Sequence, residues 1–427
     1  MSVSDLALFG GKPAVTIANS ERWPNIGHDE IETVIDLLRS GDLSISGGRG
    51  LIGEFEEKVR RAFDVPYVLA QNNGTSTLHA GYFGVGVSPG DEVIVPAYTW
   101  SAKVTPILAL NAIPVFCEVD PHTLTVDLGD VERRMTPQTR AIGVVHLWGN
   151  PVDMDPILAI AQCHGLKVVE DCSHAHGATY KGRAVGTIGD VGCFSMQASK
   201  VVPAGEGGFI VTRDTGVFDR IVALGHQGRI ENTLVGDEFH DMYTGFGFKY
   251  RPHPLAIAVA SGQFDHLDDV NERRRSNFMR LSSGLSEAPE IEVTRTVAGA
   301  VRGGLYGTRL VYHPEAAGGV SRERYMETLR AEGVEVDRER YRLLHTLRLF
   351  RERINFYGNG YPFDSPSVRR RVTYAAGDLP ATEALFDQLI ALPTFTDPPP
   401  GLIDQYVEAF AKVSKELERL RPQEDRS

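Results

Sequence analysis

Lys200 closes the run Asp190-Val-Gly-Cys-Phe-Ser-Met-Gln-Ala-Ser-Lys200, which reads as a strand over residues 191–196 followed by a turn. Gly205-Glu-Gly-Gly208 then reverses the chain into a second apolar strand over residues 209–212. A single amine held at such a strand end is partly desolvated, which lowers its pKa and makes it a nucleophile toward aldehydes. Upstream, Leu166-Lys-Val-Val-Glu-Asp171 is another apolar strand, and it ends in a carboxylate. An amine and a carboxylate at neighbouring strand ends are what a pyridoxal phosphate enzyme requires. The lysine holds the aldehyde as an imine, and the carboxylate keeps the pyridine nitrogen protonated so that the ring withdraws electrons. Each residue alone is usually a solvated loop lysine or a capping or turn-forming aspartate. The pair gains weight from its surroundings.

Those surroundings alternate. Apolar strands are expected over residues 65–70, 91–96, 113–119, 141–146 and 167–170, with helical patterns over 101–110 and 154–164. That rhythm predicts an α/β fold with a mostly parallel sheet wrapped by helices, whose ligands sit beyond the carboxyl ends of the strands. Asn73-Gly74-Thr75, Tyr98-Thr-Trp100, Asp171 and Lys200 all follow strands closely, as the rim of one site would. Beyond residue 265 the texture changes to a long charged helix over 265–280 and shorter strands, including one over 307–312. Two domains are therefore expected, a large one over residues 1–264 and a smaller α+β one over 265–427.

Composition excludes several classes. The chain has 427 residues, 42% hydrophobic and 23% charged, as a soluble globular protein does. A net charge of -12 without a basic run argues against nucleic acid or an anionic membrane as the main partner. No stretch approaches the roughly 18–20 apolar residues of a membrane span, and the N-terminal residues do not read as a signal sequence. The cysteines, Cys117, Cys163, Cys172 and Cys193, form no CxxC pair. A disulfide framework is not expected, and a reduced cytoplasm is the expected compartment.

Asn73-Gly74-Thr75-Ser76 at a helix start offers backbone N–H groups and hydroxyls to an anion, or simply caps the helix. Ser195 is placed to reach the same phosphate, or is an ordinary strand serine. Trp100 could stack on a planar ring, or fill a core or interface. Cys172, His174 and His176 alternate as metal ligands on one strand face would. No metal is expected, because the lysine–aspartate pair already explains the segment.

Nearly the whole chain resembles the DegT/DnrJ/EryC1/StrS aminotransferases of keto-sugars and keto-cyclitols. The resemblance is carried by Leu6-Ala-Leu-Phe-Gly-Gly-Lys-Pro13, Asn73-Gly-Thr75, Pro89-Gly-Asp-Glu-Val-Ile-Val-Pro-Ala-Tyr-Thr-Trp100 and Glu170-Asp-Cys-Ser-His-Ala-His-Gly177. Phe194-Ser-Met-Gln-Ala-Ser-Lys200, Gly205-Glu-Gly-Gly208, Gly247-Phe-Lys-Tyr-Arg251, Tyr341-Arg-Leu-Leu-His345 and Leu392-Pro393 continue it in order. It implies the fold of type I pyridoxal phosphate transferases, with a seven-stranded sheet and a homodimer. It also implies Lys200 as the imine former, Asp171 as the pyridinium partner, and Trp100 stacked on the ring. Gly74, Thr75, Ser76 and Ser195 would hold the phosphate. His174 falls where many relatives carry glutamine near the cofactor's phenolic oxygen.

Relatives usually read Gly-x-Asn-x-Arg where this chain has Gly247-Phe-Lys249-Tyr-Arg251. In the family that asparagine reaches the neighbouring subunit's phosphate. Lys249 could make the same contact, point outward, or join an acidic substrate's site. The resemblance implies an amino acid donor, glutamine or glutamate, and a keto-cyclitol acceptor in antibiotic biosynthesis, with a nucleotide-linked keto-sugar as the alternative acceptor. The family's dehydratase branch has histidine at the lysine position, so Lys200 speaks against it. A non-catalytic regulatory relative would have lost Lys200 or Asp171.

Overall fold

In the computed structural model, which describes residues 5–236, 238–239 and 244–421, seven strands form the central sheet. In chain order they are β1 (Tyr67–Gln71), β2 (Glu92–Pro96), β3 (Ile113–Cys117), β4 (Thr139–Val145), β5 (Lys167–Asp171), β6 (Val191–Ser195) and β7 (Gly208–Thr212). Across the sheet they run β1-β7-β6-β5-β4-β2-β3. Every pair from β6 to β3 is parallel, while β7 lies antiparallel to both β1 and β6. The reason is the connection after Lys200. It returns through glycines without a crossover helix, and a parallel neighbour would need one. β2, β3, β6 and β7 are buried at every residue, which is why they read as continuous apolar runs rather than alternating ones.

The helix Gly74–Gly84 packs on this sheet so closely that a Cβ on Gly81 would lie 2.8 Å from Cys193 Sγ. Two helical expectations change in detail. The pattern over 101–110 is a 3-10 turn, Ser101–Lys103, followed by a short helix, Thr105–Ala109. Pro106 sits in that helix's first turn, where its missing N–H starts an element more readily than it continues one. The charged pattern over 265–280 is the helix Leu267–Leu285, separated from Pro254–Asp265 by His266.

A second, antiparallel sheet orders Ile291–Val293, Thr308–Tyr312, Leu389–Leu392 and Asp337–Arg338. Its core includes Leu310, Tyr325, Ile390 and Phe410. The hydrophobic clusters cross residue 264 in both directions. Leu6 and Val15 pack with the second sheet, whereas Leu344, Phe350, Phe363 and Tyr374 pack with Phe116 and the large core. Among the described residues, no helix is long and apolar enough to cross a membrane.

Candidate active site

The parallel strands deliver their ends to one cavity of about 460 Å³. Its walls include Gly74, Thr75, Trp100, Asp171, His174, Ser195 and Lys200. β5 ends on Asp171 and its neighbour β6 ends on Ser195, with Asp171 paired to Cys193 in the register. Met196 and Ala198 then donate their N–H groups to the carbonyls of Gly207 and Gly205, closing the reversal that carries Lys200. From the N-terminal segment, Trp23 Nε1 donates to the Lys200 carbonyl at 3.0 Å and fixes the backbone there.

Lys200 is 9% exposed and its Nζ sits 3.6 Å from the ring centroid of Tyr306. Burial pulls its pKa down to about 8, with Asp171 opposing the drop. The amine is thus poised near neutrality, as a nucleophile or proton carrier needs to be. Asp171 is buried, and its Oδ1 accepts the Ser173 N–H at 3.0 Å.

Gly74 and Thr75 open their helix, where amides lack partners four residues earlier. Gly74 must be glycine here, because a Cβ would meet Ser195 Cβ at 2.5 Å and its Oγ at 2.9 Å. The helix start, with its dipole, and Ser195 line the same cavity. Ser76 is engaged locally. Its N–H and hydroxyl are both engaged by Asn73, at 2.7 Å each, so it secures the cap and does not line the cavity.

The opposite wall is aromatic. His174 stacks on Tyr306 at 4.2 Å and on Trp148 at 5.1 Å. Trp148 N–H donates to His174 Nδ1 at 3.3 Å, which leaves the ring proton on Nε2, facing the Tyr341 hydroxyl at 3.3 Å. Burial, reinforced by Lys200, holds His174 neutral. Trp148 adopts a left-handed backbone, φ 55°, a costly conformation for a bulky residue and one that collects at functional sites. Trp100 is 57% exposed and packs at 5.4 Å from Tyr341.

Among the described residues Cys172 is not grouped with His174 and His176; it stands instead with His146 and Glu170. Glu170 is already satisfied by His146 and the N–H groups of Gly186, Ile188 and Gly189. Lys249 is exposed and lines a different cavity, of about 380 Å³, with Ser46, His226, Arg229 and Arg251. Within one chain it is not brought to Lys200.

Sequence reasoning missed Trp148, Tyr306 and Lys103. Trp148 carried a signal, since it follows β4 on the same rim as Asp171. Tyr306 arrives from beyond the charged helix with no local mark, and Lys103 lay unmarked inside the helical pattern over 101–110.

A lysine and a carboxylate at adjacent ends of a mostly parallel seven-stranded sheet, beside a glycine-opened helix, define a fold-type I transferase. The sequence profile of the DegT/DnrJ/EryC1/StrS aminotransferase family matches residues 24–410, and the chain belongs to that family. It is similar to the L-glutamine:scyllo-inosose aminotransferase of Streptomyces griseus, 32% identical over 96% of this chain and 97% of that protein. The L-glutamine:2-deoxy-scyllo-inosose aminotransferase of Streptomyces fradiae is 39% identical over 67% of this chain and 69% of its own length. The solved structure of an aminotransferase from Psychrobacter cryohalolentis superimposes with a TM-score of 0.78 at 25% identity, covering 93% of this chain and 99% of that one.

Proposed function

We propose that this aminotransferase uses pyridoxal phosphate to move the amino group of glutamine onto a keto-cyclitol of the scyllo-inosose type. The observation that carries this reading is the meeting of Lys200 and Asp171 at adjacent strand ends in one cavity. The residues fit the cofactor. Gly74, Thr75 and Ser195 form a cradle that any side chain at 74 would fill, Asp171 offers a carboxylate to the ring nitrogen, and Lys200 offers the amine. When bound, the cofactor supplies the aldehyde and the electron-withdrawing ring that make an amine-bearing carbon acidic.

Lys200 would hold the cofactor's aldehyde and, with its amine free, would carry a proton to and from the substrate carbon. Its low pKa suits it to both directions near neutral pH. Asp171 would pair with the protonated ring nitrogen by a charge-assisted hydrogen bond. Trp100 would offer its indole to one face of the ring. The neutral His174–Tyr341 pair offers a hydrogen-bond donor without adding charge. Tyr306 and Tyr341 line the cavity and would present aromatic surface to the acceptor, which suits the C–H faces of a ring whose hydroxyls are equatorial.

The working unit in this reading is a homodimer in which Lys249 reaches the partner's phosphate. Exposed Phe246, Phe248, Phe356 and Tyr357 support a partner of the same chain, because Phe248 and Tyr357 line a groove beside Asn73, Thr75 and Ser76. The test is amino transfer from glutamine to scyllo-inosose and 2-deoxy-scyllo-inosose, against nucleotide-linked keto-sugars under the same conditions. Product with the cyclitols supports the reading. Turnover of nucleotide-linked sugars alone would replace it with the sugar reading.

A further inference from the structure

Lys103 is a second lysine at this cavity, and the chemistry proposed above leaves it unused. It is only 1% exposed. Its Nζ donates to the carbonyls of Val144 at 3.0 Å and Val169 at 3.4 Å. Both carbonyls belong to the strand ends around Asp171, since β4 and β5 pair Val144 with Glu170 and Val145 with Asp171. The channel is built for a long side chain. A Cβ on Gly143 would come within 2.9 Å of Lys103 Cε, and the Tyr82 ring lies 5.4 Å from Nζ.

A methionine would fill that channel without the several kcal/mol that burying an ammonium costs. A compensating charge must therefore be sought among the facing groups: Tyr82, Glu170, Asp171, Cys172 and Cys193. Burial keeps the Tyr82 phenol and the Cys172 and Cys193 thiols protonated. Glu170 is held by His146 and the backbone N–H groups already described. Asp171 is left, and it is the strongest influence opposing the loss of Lys103's charge on burial.

We propose that Lys103 is a positioning residue that keeps its charge inside the fold and acts through Asp171. It sets the charge beside that carboxylate and limits how strongly the cavity attracts further protons. The proposal rests on Asp171 as the ring-nitrogen partner.

Two substitutions separate charge from packing. Lys103→Gln keeps an N–H donor for the strand carbonyls, and Lys103→Met keeps only the volume. In the cofactor-free protein, the pH dependence of Lys200 labelling by an amine-directed reagent gives the midpoint of its deprotonation. Loss of the positive charge that shares this cavity should raise that midpoint in either variant. The pH midpoint of the bound cofactor's absorption change should rise in the same sense. A purely structural lysine would alter stability or KM and leave both midpoints in place, so a folded Lys103→Gln protein with unchanged midpoints overturns the proposal. In the unaltered protein, side-chain NMR of labelled lysine should find Lys103 as an ammonium at pH 7, and a neutral amine there would equally overturn it. Neither the labelling nor the NMR needs a substrate, so they stand apart from failure of the amino-transfer reading.

Discussion

Gly74 and Ser195 approach so closely that a methyl group on the glycine would lie 2.5 Å from Ser195 Cβ. The helix start and the end of β6 are thereby locked into one surface, and the proposed phosphate corner depends on that contact. Gly74→Ala should push the two apart. Overpacking of this kind costs about 1–3 kcal/mol, which here would appear as roughly 10- to 100-fold weaker cofactor binding. Ser195→Ala should weaken binding less, because it removes one hydroxyl and leaves the backbone cradle. Equilibrium titration with pyridoxal phosphate checks both, and an unaffected Gly74→Ala protein would remove the phosphate from this corner.

Lys200 burdens the cofactor-free fold. Its pKa falls from 10.5 to about 8 on burial. Between those values the unfolded chain binds more protons than the folded one, so stability should rise with pH across that window. Below pH 8 the full penalty is present, and at about 1.36 kcal/mol per pH unit it amounts to about 3 kcal/mol. Lys200→Met should therefore stabilise the cofactor-free protein at pH 7, and its advantage should shrink as pH rises from 8 toward 10.5. Urea unfolding across that range tests the sign. A Lys200→Met protein less stable than the parent at pH 7 would count against the burial argument.

Asp171→Asn keeps the shape of the side chain and removes the charge that holds a ring proton. A lost contact of this electrostatic kind costs about 10²–10³-fold in kcat. Asp171→Glu should retain part of the rate. Single-turnover measurements with glutamine isolate the step, and near-normal rates in Asp171→Asn would refute the assignment.

Lys249 lies outside its own chain's Lys200 cavity, so a role there must come from a neighbouring subunit. Lys249→Ala should lose cofactor on dialysis, and Lys249→Asn should recover part of the retention. Mixed dimers of Lys200→Ala and Lys249→Ala chains should regain one sound site in two. If Lys249→Ala binds cofactor normally but raises KM for the acceptor, the lysine serves the substrate instead.

Much of this was legible in the sequence because the relevant residues sit at the ends of short apolar strands. Asp171, Ser195 and Lys200 each follow such a run, and a parallel sheet gathers those ends on one rim whatever the loops do. Ser76 was ambiguous because a hydroxyl at a helix start serves equally as a cap or an anion ligand, and its contacts with Asn73 appear only in the fold. Tyr306 could not be placed at all, since it reaches Lys200 through tertiary packing. Lys103 was hidden for a related reason, its channel being made by Gly143, two strands away in sequence. The crossing of the chain's ends between the two cores left no composition shift to read.

Reduction of the cofactor-loaded protein with borohydride, followed by peptide mass spectrometry, tests the central claim most directly. It fixes the cofactor's carbon to whichever amine holds it as an imine. The account predicts a phosphopyridoxyl group on Lys200, in the peptide containing Gln197-Ala-Ser-Lys200, at close to one per chain. A group found on Lys103 or Lys249, or none at all, would contradict it.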